Sequence, residues 1–186
     1  MVYTTPGGRV FDVTTIQEQP FYSKKELLDS GGDLDFFDTT GKDDNTNMDS
    51  ANKFSVSQSM IARRIQVNFL KTDLNAFVND TELAFVAKAI NKSTFQVKVN
   101  REDTFDTALG NVFITPTASF DNGWDSIARS LKGVIELNEP IIFGPGVPFN
   151  WVWRYFGTES LEELMLLFTV WGFLGIERPV TLPTVP

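Results

Sequence analysis

Residues 94–100 read Thr94-Phe95-Gln96-Val97-Lys98-Val99-Asn100, with apolar and polar side chains in alternation. A period of two sets Phe95, Val97 and Val99 on one face and Gln96, Lys98 and Asn100 on the other, the pattern of a half-buried β-strand. A strand with one apolar face needs neighbours and a covering layer, and other segments of the chain carry the same period. Upstream, Ile61, Ile65, Val67 and Phe69 share a face, with Arg64, Gln66 and Asn68 opposite and Arg63 the exception on the apolar side. Downstream, Phe149, Trp151, Trp153 and Tyr155 fall on one face of a strand over 149–155. Leu164–Ile176 then forms an apolar run broken only by Thr169 and relieved by Gly172 and Gly175. These 13 residues are too few for a bilayer-spanning helix, which needs about 20. The run reads as a strand buried on both faces, in a soluble protein.

Shorter strands are expected at Arg9–Thr14, Leu34–Asp38, Val112–Thr115, Val134–Asn138 and Ile141–Phe143, with Pro116, Gly133 and Pro140 at their ends. One helix is expected over Thr81–Ile90, where Asn79 and Glu82 have capping-box spacing and Leu83, Val86, Ala87 and Ile90 line one side. A helical turn is expected at Ser23–Leu28, capped by Ser23 and stopped by Gly31-Gly32. The total, about eight strands with one or two inserted helices, fits an all-β fold, an eight-stranded jelly-roll β-sandwich. The chain of 186 residues makes one domain: an extended N-terminal arm over 1–20, the jelly roll over 21–176 and an extended C-terminal tail over 177–186, where Pro179, Pro183 and Pro186 forbid a helix.

Composition narrows the chemistry. The chain has no Cys and no His, which removes disulfides, thiol nucleophiles, Cys or His zinc sites, imidazole bases and the Ser-His-Asp arrangement. The net charge of −8 repels phosphate backbones, so no direct nucleic-acid partner is expected; the basic pairs Lys24-Lys25 and Arg63-Arg64 are too short for such a patch. Met1-Val2-Tyr3-Thr4 has neither a basic stretch nor an apolar core, so no secretion leader is expected. Aromatics are abundant, with 17 Phe, 4 Trp and 3 Tyr, which suits sheet.

Few residues offer a site. Asp29, Asp33, Asp35, Asp38, Asp43, Asp44 and Asp49 crowd into a short stretch, and Asp43, Asn45, Asn47 and Asp49 alternate as oxygen ligands of a calcium loop would. Met48 stands where the turn glycine belongs and Phe54 where the bidentate Glu belongs, so Ca2+ is a weak candidate and a hydrated loop the simpler reading. Glu159, Glu162, Glu163 and Glu177 could supply a glycosidase pair, but sequence spacing does not establish the separation that mechanism requires. Trp151, Trp153 and Tyr155 could stack on a sugar or fill a core, and the apolar neighbours favour the core. Trp124, in a polar stretch after Asn122-Gly123, is the better surface candidate. Gly144-Pro145-Gly146 lacks the length and the Lys of a phosphate-binding loop. No enzyme is expected, and no catalytic or cofactor-binding residue is assigned.

A set of short motifs carries a resemblance. Phe36-Phe37-Asp38, then Thr46-Asn47-Met48 in a polar loop, then Ile65, Val67 and Phe69, then Ile142-Phe143-Gly144-Pro145-Gly146-Val147-Pro148-Phe149, and finally Gly175 with Arg178 together resemble the jelly-roll coat proteins of tailless icosahedral bacteriophages. The likeness spans about residues 34–178 and is a pattern of turns and alternations rather than a catalytic signature. It implies a single jelly-roll capsid subunit, made in the host cytoplasm and resident in the virion. Such a subunit would assemble with itself and with other virion proteins into capsomers, and a coat of this kind can overlie an internal viral membrane. The other expectation is a carbohydrate-binding jelly roll that uses Trp151, Trp153 or Trp124 as stacking platforms.

Overall fold

The computed structural model describes residues 1–15, 17–27, 31–41, 45–54, 57–71, 86, 89–108, 132–158, 160–161 and 164–179. They form ten strands: β1 (Val2–Thr4), β2 (Val10–Val13), β3 (Gln19–Glu26), β4 (Gly32–Phe36), β5 (Ser59–Lys71), β6 (Ser93–Val99), β7 (Glu102–Ala108), β8 (Lys132–Phe143), β9 (Phe149–Tyr155) and β10 (Leu164–Glu177). One sheet runs β3-β10-β5-β8, with the β1–β2 hairpin also joined to β10; the other runs β4-β9-β6-β7. The hydrogen-bonded pairs are nested in sequence. The β6–β7 hairpin is innermost, enclosed in turn by β5–β8, β4–β9 and β3–β10, all antiparallel. Successive pairs alternate between the sheets, as in one long hairpin rolled up, which is the jelly roll. The all-β sandwich expected from the alternation is the fold observed.

The interior explains why these segments form strands. From one sheet, Ile65, Val67, Phe69, Leu164, Leu166, Phe168 and Val170 point inward; from the other come Phe36, Phe95, Val97, Trp151 and Trp153, in one continuous core. Phe168 is the bridge between the layers. Its ring meets Phe36 edge-on at 4.7 Å and lies 5.2 Å from Phe95 and 5.5 Å from Trp151. Aromatic side chains of this size give the largest apolar burial per residue, and edge-to-face contacts add to it.

One expectation is corrected by a β-bulge. Arg64 pairs with Trp171 and Ala62 with Gly172, so Arg63 is an extra residue with no partner on β10. An inserted residue reverses the phase of a strand. Ile65, Val67 and Phe69 therefore face the main core together with Met60 and Ala62, while Ile61 faces the other way. Arg63 is no anomaly on an apolar face. Ile61 packs with Phe11, Val13 and Phe173 in a second, smaller core on the outer side of the sheet, with Tyr3 and Ile142 against it. The Arg63 guanidinium lies 5.9 Å from the Tyr3 ring and 6.0 Å from Phe173, and that of Arg9 lies 5.4 Å from Phe11.

This second core uses residues read as an extended arm. In the structure residues 1–20 contain β1, β2 and the start of β3. The turn between β1 and β2 reaches across the sheet, Gly7 N–H donating to Glu139 Oε1 at 3.2 Å. The tail begins at the end of β10, where Arg178 N–H donates to Val10 O; residues 180–186 lie outside the described residues.

Other local readings change. The helical turn expected at Ser23–Leu28 is strand through Glu26: Gln19–Glu26 is β3, paired residue by residue with 165–172 of β10, and that pairing overrides the helical leaning of Lys24-Lys25-Glu26; Leu28 lies outside the described residues. Strand β7 was hidden by its charges, and Val134–Asn138 and Ile141–Phe143 merge into β8. Val112–Thr115 and the capping box at Asn79 and Glu82 lie outside the described residues. Of the expected helix, Val86 and Ala89–Ile90 are described and helical.

The bulge depends on one glycine. A Cβ on Gly172 would run into the carbonyl of Ile61 and meet Ala62 Cα at 2.9 Å. Gly172→Ala should therefore lower unfolding free energy by about 2 kcal/mol or more, as overpacking against backbone does. Chemical denaturation monitored by tryptophan fluorescence measures this, with Gly8→Ala, where no atom lies within 4 Å but φ is +82°, as the strained but uncrowded comparison.

Candidate functional site

The motifs that sequence reading found as separate pieces meet at one place. Phe36 and Phe37 are both fully buried although adjacent. A strand cannot bury two successive side chains on one side, and the backbone solves this at Phe37 with φ of +61°. That left-handed conformation costs a bulky residue about 1–2 kcal/mol, offset here by the ring's position 5.3 Å from Trp151 and 5.9 Å from Phe149. Ser23 Oγ accepts from Phe37 N–H at 3.0 Å, and Phe37 O accepts from Asn52 N–H at 2.7 Å. Asn52 O in turn accepts from Phe149 N–H, and Pro148 O from Asn100 N–H. The loop after β4, the β6–β7 turn and the β8–β9 turn are thus linked by main-chain bonds. Inside the link, Phe54 lies 4.8–5.0 Å from Phe21, Phe143 and Phe149.

Every positive-φ residue described other than Gly8 belongs to this assembly of loops: Phe37, Gly41, Asn52, Asn100, Arg101 and Gly146. Strained backbone concentrated in this way marks a region whose shape is over-determined by its surroundings.

From here the loop runs back along the free side of β3. Thr46 bridges Ser23, and its Oγ1 donates to Tyr22 O at 3.0 Å. Asn47 Oδ1 accepts from Tyr22 N–H and its Nδ2 donates to Pro20 O, both at 2.8 Å. Asn45 O accepts from Lys24 N–H at 2.7 Å. Thr46-Asn47-Met48 is therefore an edge guard: it satisfies main-chain groups that an open strand would offer to another chain. Met48, 1% exposed, anchors it in the core.

This places the calcium candidates. Asn47 spends both ends of its amide on the β3 backbone, and Asn45 lends its carbonyl to Lys24. Asp49 is exposed, and Asp43 lies outside the described residues. Among the described residues no three acidic side chains converge as metal ligands. Asp38 is engaged with Lys25 at 2.6 Å.

The aromatic candidates divide. Trp151 and Trp153 are fully buried and Tyr155 nearly so, with Trp153 and Tyr155 stacked at 5.7 Å; no ring face is left for a sugar. Trp124 lies outside the described residues, as do Glu159, Glu162 and Glu163. Glu177 is described, and it forms a two-bond pair with Arg9, both contacts at 2.7 Å.

That pair belongs to a feature sequence reading missed. Arg178 makes a second two-bond pair with Asp12, at 2.9 and 2.6 Å, so the hairpin is stitched to the end of β10 by charges of opposite order on the two sides. Glu18 accepts from both Arg63 and Arg64. Hydrogen bonding from Arg178 holds the Asp12 carboxyl below its usual range, and Arg9 does the same to Glu177. No sequence signal joins residues 166 apart. On the outer face of the β4-β9-β6-β7 sheet, Arg154 pairs with Asp33 in the same way, beside a shallow polar depression lined by Thr94, Gln96, Asp106, Val152 and Arg154.

No protein-family model matches the chain, and no curated protein matches it in sequence. Among the described residues no helix is long and apolar enough to cross a membrane.

Two outcomes follow from this geometry. Asn47→Ala should uncover the β3 edge, lowering stability by about 1–2 kcal/mol and increasing light scattering on standing relative to the parent chain. Asp12 and Glu177 have lowered carboxyl pKa values in the folded state, so their contribution is present above the unfolded carboxylate pKa and is lost as pH falls through the folded values. In hydrogen exchange, amides of Phe11 and Val13 should lose protection on acidification before those of Phe95 and Val97. The double variant Asp12→Asn/Glu177→Gln should reproduce that loss at neutral pH.

Proposed function

We propose that the chain is a capsid subunit, a structural protein that assembles with itself and with other virion proteins into capsomers of an icosahedral virion. The observation that carries this reading is the nested pairing of a single jelly roll whose interior is filled by its own aromatic side chains. Such a body is stiff, and stiffness is what a shell unit contributes. The convergence of Phe36-Phe37-Asp38, Thr46-Asn47-Met48 and Ile142–Phe149 into one over-determined group of loops supports it further, because the residues that carry the resemblance to phage coat proteins act together. The net charge of −8 is compatible with a coat that does not grip nucleic acid directly. The functional residues of a shell protein are interface positions, so no catalytic residue is assigned.

Sedimentation velocity across a wide concentration range, with negative-stain imaging of any large species, tests the proposal. Trimers, pentamers, hexamers or shells are the expected result. A monomer at every concentration, alone and with the other virion proteins, would overturn it, and a tryptophan fluorescence change on glycan titration would then favour a carbohydrate-binding module.

A further inference from the structure

Five large apolar side chains stand exposed among the described residues, and three of them are Met1, Val2 and Ile176, at 68%, 52% and 53%. They share one corner. Val2 lies opposite Asp12 and Ile176 lies opposite Asp12 from the other side, so Val2, Asp12 and Ile176 form one row across β1, β2 and β10.

The corner is also an open edge. Among the described residues strand β1 ends its sheet, and its hydrogen-bond phase is fixed by the exchange between Met1 and Val13 and by Thr5 N–H donating to Arg9 O. Alternation then turns the N–H and C=O of Val2 and Thr4 away from β2, towards the open side. The other margins differ. The β3 edge is covered by Asn45–Asn47. Strand β4 exposes Asp35, β7 exposes Glu102 and Asp106, and β8 exposes Glu139. In a chain of net charge −8, two copies meeting at those acidic edges repel each other. The β1 edge, Val2-Tyr3-Thr4, carries no charged side chain.

We infer that β1 is a pairing edge between two copies of this chain, joined antiparallel about a two-fold axis through Tyr3. This inference rests on the assembly reading above and names one of its contacts. In that arrangement Val2 of one copy faces Thr4 of the other. The two Val2–Thr4 pairs exchange up to about four main-chain bonds, and each copy's exposed Val2 row runs on into its partner's Thr4–Val10 row. The edge is short, so the contact is weak alone and gains its strength from repetition in a closed assembly.

Two variants test it. Val2→Lys puts a charge on the neutral edge, the usual device against edge pairing. Thr4→Pro deletes an outward N–H and leaves the β1–β2 ladder intact, since proline is tolerated at an edge. Each should raise the concentration at which the chain associates by about tenfold or more in sedimentation velocity, with the thermal melting midpoint unchanged. Larger assemblies that form equally well with both variants would overturn the edge and leave the shell reading standing. Dimers abolished by both variants, with no larger species under any condition, would keep the edge and remove the shell reading. A parent chain that is monomeric throughout overturns the edge pairing.

Discussion

Everything in this fold hangs on β10. It pairs with β5 over twelve positions from Leu164 to Gly175, and along its other side with β3 and then β2. A strand hydrogen-bonded on both sides, with one face in the main core and the other half-buried rather than fully buried as expected, has little need of polar side chains, which is why Leu164–Ile176 is almost wholly apolar. Its inward residues fill the sandwich, and Phe173 on its reverse side fills the small outer core. Of the two sheets, the one containing β10 is therefore the better anchored, and the loops that bear strain are braced against it through Ser23 on β3.

The bulge at Arg63 shows how a local irregularity lets one strand serve two cores. Before it, β5 turns Ile61 outward; after it, the strand turns Ile65 inward, and its registers with both β10 and β8 shift at that point. The cost is an arginine left without a partner on β10 and a glycine required opposite Ala62. Arg63 recovers part of that cost by covering Tyr3 and Phe173.

Sequence alone revealed the elements whose burial is one-sided and regular. Phe95–Val99 and Phe149–Tyr155 alternate because one face meets the core and the other meets water, and both were legible for that reason. Strand β3 was not, because Ser23-Lys24-Lys25-Glu26 owes its conformation to β10, about 140 residues away in sequence, a dependence no local pattern records. Strand β7 was masked because an edge strand with one wet face and one open margin can carry Glu102, Thr104 and Asp106. For the candidate site, the motifs themselves were visible, but their meeting was not. It depends on the main-chain bonds of Asn52 and on a left-handed Phe37, and backbone hydrogen bonds leave no mark on side-chain pattern. The ion pairs of Arg9 and Arg178 were invisible for the same reason as β3.

The nesting of strand pairs bears on how the chain reaches this state at all. A pair as remote as β3–β10, formed first, would close a loop of well over a hundred residues before gaining any contact. The β6–β7 hairpin closes across Asn100-Arg101 alone, and once it exists each enclosing pair begins closer together than sequence separation implies. Because closure entropy rises with the logarithm of the open length, about 0.6 kcal/mol per doubling, an order that zips from the innermost pair outward meets the smallest barrier at each stage. The N-terminal hairpin, which needs the end of β10 as its template, is then the last piece to settle.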